Sequence, residues 1–100
     1  MDSSLEDKIG DFGTSPIVNL KIEAKYALPK LLGLKPFEIR FNDRNYKKGQ
    51  LICYTVIDDE DLNNYFLGRI YEITYVTDYA QENGFVVFAD KFYREVFKYK

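Results

Sequence analysis

A chain of 100 residues sets the size of one domain, with room for a single core and little else. Its 14 Lys and Arg against 16 Asp and Glu give a net charge of −2, without the strong basic excess of a general nucleic-acid binder. With no His and one Cys, the composition argues against an imidazole-based zinc hydrolase, a Ser/Cys–His triad and an intrachain disulfide.

Charge is uneven along the chain. Residues 16–50 carry eight Lys/Arg against three Asp/Glu, while 51–89 carry one Arg against seven acids. A local anion site in the basic third fits that polarity. The aromatic share of 17% is entirely Tyr and Phe, which favours strands. No apolar run is long enough to span a bilayer and the N-terminus lacks a secretory-signal pattern, so no membrane partner is expected. The single Cys53 suits a reducing cytoplasm and reads as an inert buried thiol.

Residues 1–15 are polar and acidic and read as a flexible tail, or as a short segment ordered only by docking of Ile9 and Phe12; the domain then occupies 16–100. From Ile17 an alternation predicts a strand with Leu20 and Ile22 inward and Asn19 and Lys21 outward. Ala24 to Leu32 carries helical spacing. Pro29 should distort that helix or delay its start, and Gly33 should end it. Lys35 to Asn42 predicts a second strand, with Phe37, Ile39 and Phe41 on one face and Glu38, Arg40 and Asn42 on the other. Asn42 to Gly49 has turn residues and should present Arg44, Lys47, Lys48 and Tyr46 on an exposed loop.

Gln50 to Ile57 is apolar on both faces and predicts a central strand. Asp58 to Asn64 reads as a solvated acidic loop, because it lacks the alternating ligands and central Gly of a calcium loop. Phe66 to Tyr79 predicts a long, bent strand, Asp78 to Gly84 a turn, and Phe85 to Phe88 another strand. Residues 90–100 suit either a short amphipathic helix through Phe92, Tyr93, Val96 and Phe97 or a continuation of the strand. The fold class is mainly β (α+β): a small barrel of five to six strands with one or two short helices, closed to remove exposed edges.

The spacing Gly33-x-Lys35-x-x-Glu38-x-Arg40 resembles the signature of the ASCH group of the PUA-like superfamily. With Gly68-Arg69, Ile73 to Tyr79 and Gly84 to Phe88 in order, the chain is similar to the DUF3850 family in particular, an ASCH-like family found in bacteria and their phages. The resemblance covers about residues 17–89. It implies a PUA-like barrel with a helix beside a cleft, in which related domains bind RNA or modified nucleobases. On that basis Lys35, Glu38 and Arg40 would line the pocket, and Asn42, Asp43 and Arg44 would form its rim. Arg offers a planar fork, Lys a point charge, Glu an acceptor for an exocyclic amine, and Tyr46 a stacking ring. Val18, Leu34, Pro36 and Phe41 stand where the family pattern commonly has His, Lys, Thr and a basic residue, and each removes polarity or positive charge.

Three functions follow as expectations. The first is an RNA- or modified-nucleotide-binding module that is not catalytic, needs no cofactor or metal, and acts as a monomer. The second is a phage-type interaction or inhibitor module that binds a host protein or acts as an anionic mimic of nucleic acid, using the 1–15 tail, the acidic run 58–61 and exposed Tyr65, Tyr79 and Tyr99. The third is a nucleoside amidohydrolase. There Lys35 fits the activating Lys, but Glu38 stands where a Thr nucleophile is expected, and a carboxylate does not replace an alkoxide in amide hydrolysis.

Overall fold

The computed structural model describes residues 17–96. The tail expected at 1–15, Phe97 and Tyr99 lie outside the described residues. Five strands, β1 (Val18–Ile22), β2 (Phe37–Phe41), β3 (Leu51–Val56), β4 (Arg69–Thr77) and β5 (Phe85–Glu95), form one sheet in the order β1-β3-β4-β5-β2. The sheet curls into a half-barrel compatible with a small PUA-like barrel. β1 runs parallel to β3 and the remaining pairs are antiparallel. β1 and β2 are the two edges of the sheet. Among the described residues two short helices, α1 (Ala24–Leu31) and α2 (Glu60–Phe66), accompany the sheet. Neither is long and apolar enough to cross a membrane.

β3 is an inner strand, as its two apolar faces require. Cross-strand partners share a face, so the register places Leu20, Tyr54 and Ile52 with Tyr71 and Ile73 on the inner side. Phe66, Phe88, Ile52 and Ile73 are fully enclosed and anchor the core. A side chain of that size contributes about 1.5–3 kcal/mol when it leaves water. β4 bends through two register shifts, at Ile70/Tyr71 and Ile73/Tyr75, which lets a nine-residue strand wrap the core.

α1 runs through Pro29 without a late start. Proline removes one backbone donor, but it sits near the helix end, where its carbonyl serves the cap. Leu34 N–H donates to Pro29 C=O at 2.8 Å and Gly33 N–H donates to Lys30 C=O at 3.0 Å. Gly33 at φ +78° supplies the left-handed residue of this Schellman turn, as expected. Gly84 is fixed differently. A Cβ there would lie 2.6 Å from the Phe41 ring, so the turn into β5 needs a bare Cα.

Three expectations are corrected. The acidic run is not a solvated loop: it starts α2. Asp59 Oδ1 accepts the Leu62 N–H at 2.9 Å as N-cap, and Glu60 and Asp61 occupy the first turn, where the helix dipole favours anions. Asp58 Oδ1 accepts the Ala24 N–H at 2.7 Å and so satisfies the start of α1. Consequently Phe66 ends a helix and the strand begins at Arg69. Cys53 is half-buried; burial holds its thiol pKa up, and Asn19 Nδ2 lies 3.2 Å from Sγ. The choice left open for 90–100 resolves as strand through Glu95.

Candidate functional site: a charged cleft at the sheet seam

β2 reverses the usual sense of an amphipathic strand. Glu38 pairs with Phe88 and Arg40 with Val86, so the polar face of β2 shares the inner side with the core. Phe37, Ile39 and Phe41 are 41%, 56% and 55% exposed, whereas Glu38 is buried. A carboxylate tolerates that place only when paired and hydrogen-bonded.

Glu38 meets three cations. Its Oε2 accepts from Lys35 Nζ at 3.0 Å and lies 3.2 Å from Lys30 Nζ. Its Oε1 accepts from Arg40 Nη2 at 3.1 Å and Nε at 3.3 Å. Burial alone would push the Glu38 pKa up, but Lys30, Lys35 and Arg40 outweigh it, and the carboxyl sits below its ordinary value. Lys30, buried on the inner face of α1 beside Ala27, also donates to Asp90 Oδ1 at 2.8 Å and to the Lys35 carbonyl at 3.2 Å. Tyr54 donates its hydroxyl to Asp90 Oδ2. Burial and the Asp90 charge raise the Tyr54 pKa strongly, so the phenol keeps its proton. The result is one chain of ionic contacts, Arg40–Glu38–Lys30–Asp90, closed by Tyr54.

Above this buried chain lies an open cleft of about 400 Å³, lined by Lys21, Ile22, Glu23 and Tyr26 from β1 and α1 and by Lys35, Phe37, Glu38, Ile39 and Arg40 from the β2 side. It occupies the seam between the two edge strands. Lys35 Nζ sits 5.5 Å from the Tyr26 ring centre and 5.1 Å from that of Phe37, within cation–π range of both. Both rings are partly open to solvent. The cleft therefore joins cationic donors, exposed aromatic rings and a buried acid that holds the donors in place.

Of the residues singled out in the sequence, Lys35, Glu38 and Arg40 are brought together here. Asn42, Asp43 and Arg44 do not line the cleft, because β2 ends at Phe41 and the chain turns away. Asn42 instead accepts the Tyr46 N–H at 2.9 Å and closes its own loop. Tyr46 is a further correction. It is buried, with its ring centre 4.9 Å from that of Phe88, so it offers no open stacking face. Burial, ahead of its charged neighbours, raises its pKa. Lys30, Asp90 and Tyr54 were not anticipated. Asp90 carried a signal, since it continues the inward alternation Val86, Phe88, Asp90. Lys30 falls one helical turn after Ala27.

Fold and site together define a small half-barrel domain with a buried ion chain beneath an open cleft. The family model for a domain of unknown function, DUF3850, matches residues 17–89, and the chain belongs to that family. A comparison with curated proteins finds no match.

Proposed function

We propose that this domain is a nucleotide- or RNA-binding module whose ligand enters the cleft between β1 and β2. The observation that carries the reading is the joint presence of Lys35 and Arg40, partly solvent-exposed, with the open rings of Tyr26 and Phe37 in one cavity of about 400 Å³. That volume falls in the range of small-molecule sites. A base stacked on either ring lies close to two cationic groups suited to a phosphate. Glu38 acts in this account as a positioning residue. Both its oxygens are already engaged, so it orients Arg40 and Lys35 and does not read the base.

The lone Cys53 fits a cytoplasmic setting. The amidohydrolase alternative draws no support from the cleft, whose lining residues include no Ser, Thr or Cys. The protein-interaction alternative keeps Tyr65 and Tyr79, both exposed, and gains the half-exposed row Phe37, Ile39 and Phe41 on an edge strand. Of its acidic run, Asp58 and Asp59 are engaged in helix capping, while Glu60 and Asp61 stay exposed in the first turn of α2.

Calorimetric titration with uridine and cytidine 5′-monophosphates and a short single-stranded RNA tests the proposal. Binding should weaken as salt rises. Arg40→Ala should reduce affinity by about ten- to a hundredfold, the loss of a charge-assisted hydrogen bond. Lys91→Ala, on exposed β5 surface, should leave it unchanged. No heat with any of these ligands, or equal losses in both variants, would overturn the reading.

A further inference from the structure

One part of the cleft wall has no role in the reading above: the free edge of β2. Among the described residues this strand pairs only with β5. In that ladder Asp90 N–H donates to Pro36 C=O at 3.2 Å and Asn42 N–H donates to Gly84 C=O at 2.8 Å. Bonded pairs alternate in an antiparallel ladder, so the even-numbered residues of β2 carry the bonds to β5. The main-chain groups of Phe37, Ile39 and Phe41 point the other way. Two of their carbonyls are already engaged: Phe37 C=O accepts from Lys35 Nζ at 2.9 Å, and Phe41 C=O from Asp43 N–H at 2.8 Å. Ile39 differs. Among the described residues nothing bonds its N–H or its C=O, and Ile39 lines the cleft.

We propose that the main-chain N–H and C=O of Ile39 read the hydrogen-bonding edge of a base held in the cleft. This rests on the nucleotide reading of the site and names what that site recognises. An extended residue presents its donor and acceptor in the same direction, the pair a neighbouring strand would otherwise take. The pairing edge of an unpaired nucleobase offers the complement, an acceptor beside a donor, such as O4 and N3–H of uracil. Glu38 is the side chain whose type suits a base amine, but its two oxygens are held by Lys35, Lys30 and Arg40. Base reading then falls to the main chain. Every standard base carries an acceptor–donor pair, so the ligand class is any nucleotide with an unblocked pairing edge, with weak preference among bases. A base alkylated on that edge is rejected.

Two comparisons test this with uridine 5′-monophosphate as the probe. Proline is tolerated on an edge strand where its missing N–H faces away from the ladder, which is the situation of Ile39. Ile39→Pro should therefore bind about tenfold more weakly than Ile39→Ala, which keeps the N–H while truncating the same side chain. N3-methyluridine 5′-monophosphate should bind the unmodified protein about tenfold more weakly than its parent. The Ile39 amide resonance should move downfield on saturation with the parent nucleotide. If Ile39→Pro fails to fold, the methylated ligand and the Ile39 amide decide. Equal affinity for the two nucleotides, with Lys35 and Arg40 responding and the Ile39 amide unmoved, overturns the inference while leaving the cleft as a binding site. Absence of any nucleotide binding overturns both.

Discussion

Two regions of this small domain concentrate charge, and they treat it in opposite ways. The Lys30–Glu38–Asp90 group is buried, with Lys30 and Asp90 side chains 2% and 1% exposed, and its ions are satisfied by one another and by Lys35, Arg40 and Tyr54. The run Asp58 to Asp61 lies at the surface, where two of its carboxylates cap helix starts and water screens the remainder. The residue types are alike, yet the consequences differ. A buried ion cannot lose its partner without leaving an uncompensated charge in a poorly polarisable place. A surface carboxylate can, and only its hydrogen bond to a helix N–H is at stake.

Variants can break or sharpen that contrast. The largest expected effect is Asp90→Ala, which strips Lys30 of its closest partner and Tyr54 of its acceptor. It should destabilise the domain by about 3–5 kcal/mol in a urea unfolding series. A loss near that of a surface change would mean that the buried chain is not structural. Next is the acid response. The Glu38 pKa is lowered in the folded state from an ordinary 4.5. Its stabilisation is therefore complete above that ordinary value and disappears as pH falls through the lower folded value. Unfolding midpoints measured from neutral pH downward should fall in acid, and Glu38→Gln should flatten that limb while being less stable at neutral pH. A slope unchanged by Glu38→Gln would place the acid sensitivity elsewhere.

A smaller effect is expected for Asp59→Ala, which removes the cap of α2 and should cost about 1 kcal/mol in the same unfolding assay. The smallest is Lys25→Ala. Its contact with Glu23 is 3.8 Å long between exposed side chains, so it should change stability by about 0–1 kcal/mol. Reversal of this order, with the surface acids outweighing the buried ones, would dissolve the distinction between the two regions.

The same contrast explains what the sequence disclosed. Lys35, Glu38 and Arg40 lie within six residues on one alternating segment, so their convergence was local and legible. The positions of β1 and β2 follow from alternation, and the end of α1 from Gly33. Lys30 and Asp90 are sixty residues apart, and only the curl of the sheet and the seating of α1 bring them together. Tyr46 looked like a loop aromatic by its neighbours, but Asn42 folds its loop back and sends the ring against Phe88. In the acidic run charge density masks a helix start: Asp59 precedes Leu62 and Phe66, one helical turn apart and both buried. Local pattern fixed which residues could form the cleft, and long-range pairing fixed which of them it uses.

The most direct test of the cleft as a nucleotide site is a crystal structure of the protein with uridine 5′-monophosphate. The account predicts the ligand in the seam between β1 and β2, its base against Tyr26 or Phe37 and its phosphate within hydrogen-bond distance of Arg40 or Lys35. A nucleotide bound elsewhere while the seam holds only water, with Arg40 still closed on Glu38, would contradict it.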